Sequence, residues 1–259
     1  MRRARAACGA LAAVALAACA TWPVHAVPIG TAAQAPAPTP AQCAPSDARP
    51  GPPPEWARAK RATILVDSVL LGGVPALREE LRGWRSATVG RPAIMLPAAE
   101  AAIRGGGRVA PLAIVGVGYN SLWERGRRNY AAWAERFDGQ ARALVRALRA
   151  RGARQVVWVT LREAGRRVIP AAALWQYDAY AWYFPYVNER LRLLDRARDD
   201  LVLAEWDRVS KRVGITYDAI HLNPRGAALM ARTIHAAIAA AADAQRPPPR
   251  CPSLATARS

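Results

Sequence analysis

Five short apolar runs, each followed by a longer stretch with helical periodicity, constrain this chain more than any other feature. The runs are residues 62–66, 85–89, 112–117, 155–160 and 201–204. Continuous apolar character, as in Leu112 to Val117, marks strands buried on both faces of a parallel sheet. Between and after them, helical patterns are expected over 75–81, 97–104, 129–151, 187–198, 206–213 and 224–241. Strands alternating with helices predict a three-layer α/β/α sandwich around a five-stranded parallel sheet. Such sheets gather their ligand-binding loops at the carboxyl ends of the strands.

One of those ends holds the first candidate for chemistry. The run Thr63-Ile64-Leu65-Val66 stops at Asp67-Ser68, and Gly72-Gly73 is read as a turn leading to a helix that begins with Pro75. A serine there sits beside unpaired helix N-terminal amides, which favour developing negative charge. A serine hydroxyl still needs a base. Beyond the N-terminal segment the histidines are His221 and His235. His235 lies inside the last helix and is read as a packing or surface residue. His221 lies in the loop before that helix, and Asp218, three residues earlier, is placed to fix its tautomer. Asn223-Pro224 is a strong helix start.

With Ser68, the segments around Gly90, Gly116-Val117-Gly118-Tyr119-Asn120 and Asp218-Ala219-Ile220-His221-Leu222-Asn223-Pro224-Arg225-Gly226 fall in the order of the four blocks of SGNH (GDSL-like) hydrolases. The chain resembles that superfamily from about Ala62 to Ile238, and within it the bacterial cell-envelope esterases and O-acyltransferases. The resemblance implies Ser68 as nucleophile, Asp218 and His221 as its partners, and Ser68, Gly90 and Asn120 as oxyanion-hole donors. It implies a serine esterase acting on an ester of small-molecule, glycan or lipid type, with O-acetyl transfer or non-catalytic binding as alternatives. No cofactor or metal is expected, since no His/Cys/carboxylate cluster has ligand spacing. Val66 stands where the family has Gly, Val69 where it has Leu, and Ser121 where many relatives have Asp.

The aromatic stretch 175–186 has two readings, a wall over the site or a core-packing helix. As a wall, Trp175, Tyr180 and Trp182 would touch substrate. Arg162, Arg166 and Arg167 nearby are candidates for holding an anionic substrate. The formal charge of +18 is almost wholly arginine, Lys60 and Lys211 being the only lysines. The arginines are dispersed along helices, which argues against a nucleic-acid site and leaves association with anionic membrane surfaces open. A monomer is expected.

Residues 1–26 read as an export signal, with Arg2, Arg3 and Arg5 before an apolar core too short to span a bilayer. Leu16-Ala17-Ala18-Cys19 resembles a lipobox that would leave Cys19 lipidated, whereas Val24-His25-Ala26 fits an ordinary cleavage site. Residues 27–54 read as a Pro/Ala-rich flexible tether, 55–242 as the domain, and 243–259 as a disordered tail. Cys43 and Cys251 flank the domain, and in a parallel sandwich both flanks reach the end of the sheet where the strands begin. A Cys43–Cys251 disulfide is therefore expected. Thiol titration of the denatured mature protein should find no reactive cysteine before reduction and two after it. Two free thiols without reductant would exclude the bridge.

Overall fold

The computed structural model describes residues 51–121 and 130–247. The expected signal, lipobox, most of the tether, and both Cys43 and Cys251 lie outside the described residues. A short helix α1 (Glu55–Arg58) leads into β1 (Arg61–Val66), α2 (Ser68–Glu80), β2 (Arg85–Gly90), α3 (Leu96–Gly105) and β3 (Leu112–Gly116). There follow α4 (Tyr130–Ala150), β4 (Gln155–Val159), α5 (Leu174–Tyr180), α6 (Phe184–Arg196), β5 (Leu201–Ala204), α7 (Trp206–Val209) and α8 (Pro224–Ala244).

The sheet is five-stranded, entirely parallel, and ordered β2-β1-β3-β4-β5. Chain order reverses direction after β2, so α2 and α8 pack together on one face while α3, α4 and α6 pack in sequence on the other. Strands β1, β3 and β4 are buried almost throughout, as their unbroken Val, Ile and Leu content requires. The edge strand β2 is half-exposed and correspondingly polar. The reversal leaves a crevice between the carboxyl ends of β1 and β3, the usual binding position in open α/β sheets. Among the described residues no helix is long and apolar enough to cross a membrane.

One boundary differs in a way that matters. Helix α2 starts at Ser68, not at Pro75, and takes in Gly72 and Gly73. The cause is Asp67, whose side chain accepts the amides of Val69 at 2.9 Å and Leu70 at 3.4 Å and caps the helix at once. Pro75 is accommodated in the second turn, where it removes one intrahelical bond. Gly73 serves packing: a Cβ there would lie 3.3 Å from Leu222 Cδ1. The first turn of α2 lies equally close to β3, since a Cβ on Gly116 would meet the Leu70 side chain at 2.3 Å. Helix α8 also runs past Ala241 to Ala244, and its end is tied down. Gln245 accepts from Trp56 Nε1 at 2.7 Å and donates to Gln155 Oε1 at 2.7 Å, while Arg246 reaches the Gly51 carbonyl at 3.2 Å.

Two glycines probe the packing in opposite senses. A Cβ on Gly226 would stand 1.9 Å from the Ile215 carbonyl, whereas a Cβ on Gly139, within α4, would meet nothing within 4 Å. Gly226→Ala should lower the unfolding free energy by roughly 1–3 kcal/mol through overpacking. Gly139→Ala should raise it by about 1 kcal/mol through helix propensity. Urea midpoints at unchanged m-value would check both.

Candidate active site

Three loops converge on the crevice. The β1–α2 junction supplies Ser68, half-buried at the first position of α2. Its amide is among those that helix geometry leaves without an intrahelical acceptor. The segment after β3 supplies Tyr119 and Asn120, and the loop before α8 supplies Asp218 and His221.

In that last loop the Asp218 carboxylate accepts from the amides of Ile220 at 2.7 Å and His221 at 2.6 Å through Oδ1. Its Oδ2 lies 2.7 Å from His221 Nδ1. A carboxylate can only accept, so Nδ1 carries the proton and the lone pair of Nε2 faces outward. That nitrogen stands 3.1 Å from Ser68 Oγ. The loop is closed by a bridge between Thr216 and Leu222 and by the Tyr217 amide donating to the His221 carbonyl at 2.9 Å. Asn223 caps α8 through the Gly226 amide.

The electrostatics follow from these contacts. Burial opposes ionisation of Asp218, but the His221 ring and two backbone amides outweigh it and hold the carboxyl well below its usual range. The Asp218 hydrogen bond, only partly offset by burial, raises the His221 imidazole above its ordinary value. Asp67 goes the other way. Fully buried, it is pushed up to about 7 by desolvation, against the amides of Val69, Leu70 and Tyr119 and the charge of His221. The Tyr119 amide lies near enough to favour the charge but completes no bond, and Oδ2 of Asp67 has no hydrogen-bond partner among the described residues.

Asn120 lines the same cleft and donates one amide hydrogen to the Ile94 carbonyl at 3.3 Å, which fixes the side chain and leaves its second hydrogen available. Gly90 ends β2 level with Val66 and does not line the cleft. Glycine is required there because φ is +119° and a Cβ would lie 2.2 Å from the Val66 carbonyl oxygen.

The cleft has a volume of about 280 Å³. Pro92, Ala93, Tyr180 and Ile220 give it an apolar wall, with Tyr119, Asn120 and Gln176 as uncharged polar groups beside Ser68 and His221. Ala93 and Gln176 were not legible in the sequence. Ala93 holds φ at +57°, uncommon for a residue with a side chain, and alanine gives no hint of it. Gln176 accepts from the Ala219 amide at 3.3 Å, a link across 43 positions.

The aromatic segment divides between its two readings. Tyr183 and Phe184 are core residues, and Tyr183 donates to the Tyr119 carbonyl. Tyr180 lines the cleft; Trp175 and Trp182 do not. Trp175 is 67% exposed on α5, and Trp182 makes an edge contact with Tyr186 around a separate hollow. The arginines expected to hold an anion are placed otherwise. Arg162 is 2% exposed, pointing away from solvent, Arg166 pairs with Asp178 on the surface, and Arg167 is exposed; none of the three lines the cleft. His235 pairs with Glu80 at 2.8 Å, bracing α8 against α2. Among the described residues no group of three His, Cys, Asp or Glu side chains could hold a metal ion.

No protein-family model and no curated protein matches the sequence. Solved structures do match in fold. The C-terminal catalytic domain of peptidoglycan O-acetyltransferase A from Streptococcus pneumoniae aligns with a TM-score of 0.54 at 18% identity, covering 75% of this chain and 99% of that domain. A GDSL-like lipase from Bacteroides thetaiotaomicron aligns at 0.53 and 15% identity, covering 71% of this chain and 90% of the lipase. A lipase from a goat rumen metagenome aligns at 0.51 and 13% identity, covering 68% and 96%. The chain thus has the α/β/α fold of the SGNH (GDSL-like) hydrolases.

A base must be neutral to accept a proton, so if His221 serves as base to Ser68, its raised value would set the pH at which Ser68 reacts. The labelling rate of Ser68 by a fluorophosphonate should rise with pH through a midpoint above 6.5, the ordinary imidazole value. In Asp218→Asn the midpoint should move down, because the interaction that raises it is gone, and the plateau should fall. Rates measured from pH 5 to 9 would check both signs.

Proposed function

We propose that this protein is a serine esterase of SGNH type, in which Ser68 is the nucleophile, His221 the general base and Asp218 the residue that orients and charges the imidazole. The observation that carries this reading is the unbroken relay from Asp218 through His221 to Ser68, at 2.7 and 3.1 Å, opening into an uncharged cleft. His221 Nε2 takes the Ser68 proton as Oγ attacks the ester carbonyl, and the imidazolium formed is stabilised by Asp218. The oxyanion is met by the Ser68 amide and the free Asn120 amide hydrogen, whose residues line the cleft. His221 then protonates the leaving alcohol. Water, deprotonated by the same nitrogen, releases the carboxylic acid from the acyl-enzyme and restores Ser68. An acceptor hydroxyl in place of water would make the same site a transferase.

The cleft also bears on the substrate. At about 280 Å³ it is at the small end of ligand sites, and its described lining offers no cation besides His221. That favours a short, neutral acyl group such as acetyl over a long or anionic one. The export reading of residues 1–26 places the enzyme outside the cytoplasm, where an ester of an envelope glycan or lipid is the matching substrate class.

Mass spectrometry after fluorophosphonate treatment should show one adduct, on Ser68, absent from Ser68→Ala and His221→Ala. Hydrolysis of p-nitrophenyl acetate should exceed that of the dodecanoate in kcat/KM. It should fall at least about 10³-fold in either variant and about 10²–10³-fold in Asn120→Ala. A folded wild-type protein that takes no adduct would refute the esterase.

A further inference from the structure

The loop that carries Asp218 and His221 is long for a segment asked to hold a proton relay to a few tenths of an ångström. It runs from the end of α7 at Val209 to the start of α8 at Pro224, with the single bridge between Thr216 and Leu222 as its regular structure. What its inward carbonyls meet is a guanidinium. Arg162, three residues past the β4 pairing that ends at Val159, is 2% exposed. Its Nε donates to the Ser210 carbonyl at 3.1 Å and its Nη2 to the Arg212 carbonyl at 2.9 Å. Its Nη1 donates to the Ala219 carbonyl at 3.0 Å and to Thr216 Oγ1 at 3.1 Å. Thr216 Oγ1 in turn donates to the carbonyl of Asp218 itself. The Arg162 backbone amide meanwhile donates to the Tyr119 hydroxyl at 2.8 Å, on the segment that presents Asn120.

We propose that Arg162 is a positioning residue, its buried guanidinium gathering the 210–219 loop so that Asp218 and His221 stand in line with Ser68. The inference rests on the esterase reading for its catalytic consequence, though the geometry it explains stands apart from that reading. A buried cation without a carboxylate in contact is expensive, and it is tolerated where carbonyl oxygens replace water on its donors. Arg suits the place because its planar fork directs five N–H groups outward at fixed angles, four of which are used here. A lysine ammonium presents three donors from one point and cannot reach acceptors spread from Ser210 to Ala219. Since none of the guanidinium nitrogens faces the cleft, Arg162 acts on the reaction through Asp218 and His221, without touching substrate.

The test compares wild type with Arg162→Met, Arg162→Lys, Thr216→Val and Thr216→Ser, each first checked for cooperative thermal unfolding. Two quantities are read: kcat and KM on p-nitrophenyl acetate, and the downfield proton NMR resonance of the His221 Nδ1–H shared with Asp218. Misplacing a reacting group by about 1 Å can cost on the order of 10²-fold. Arg162→Met should therefore lose about 100-fold in kcat with KM within about threefold, and Arg162→Lys should recover only part. Thr216→Val should lose about tenfold, and Thr216→Ser, which keeps the hydroxyl, should return to within about twofold of wild type. The downfield resonance should vanish or broaden in Arg162→Met and Thr216→Val and persist in Thr216→Ser. A folded Arg162→Met or Thr216→Val with wild-type kcat and an unchanged resonance would overturn the proposal. So would a tenfold rise in KM at constant kcat, which would make Arg162 a substrate ligand. If Arg162→Met does not fold, the Thr216 pair decides by the same criteria. If wild type proves inert while its resonance is still lost in Thr216→Val, the esterase reading falls and the positioning role stands.

Discussion

The site depends on a carboxylate that is never exposed to water. Asp67 accepts the amides of Val69 and Leu70 on one oxygen and so starts α2 with no intervening loop after β1. Ser68 is thereby held on rigid elements on both sides, with a strand behind it and a helix ahead. The arrangement is costly: the second oxygen has no hydrogen-bond partner among the described residues, and burial drives the carboxyl toward neutrality. A buried polar atom left unpaired costs free energy that the rest of the fold has to offset.

Because α2 starts so early, its first turn is pressed against two other parts of the site. Leu70 fills the space that a side chain at Gly116 would need, and Gly73 admits Leu222, one residue past His221. The helix that presents the serine therefore also touches the strand leading to Asn120 and the loop leading to α8. Three loops that are far apart in sequence are spaced by one helix.

Much of this was legible beforehand, and the pattern of what was not is instructive. Sheet strands were visible because buried parallel strands cannot hide their apolar continuity, as in Ile64 to Val66 or Leu112 to Val115. Ser68, Asn120, Asp218 and His221 stand at strand ends or beside a strong helix cap, where short-range signals exist, and the structure brings the four together. The Gly72-Gly73 turn was misread because two glycines and a proline outweigh one capping aspartate in any local tally, whereas the tertiary fit of Gly73 against Leu222 decides the matter. Arg162 and Gln176 could not be read at all as loop anchors. Their partners lie between 43 and 57 residues away, and an arginine in a loop looks the same on paper whether it faces solvent or a ring of carbonyls. The aromatic stretch resisted for a similar reason: Tyr180 faces the cleft while Tyr183, one helical turn on, is in the core, and composition alone does not divide them.

The knot formed by Trp56, Gln155, Gln245 and the Gly51 carbonyl gives the domain a direction. It joins the two ends of the described chain at the pole where the strands begin, while Ser68 and its partners occupy the pole where they finish, about 15–20 Å away across a five-residue strand. Both ends of the described chain therefore lie behind the sheet, on the side away from the mouth of the cleft, and neither stands between solvent and Ser68.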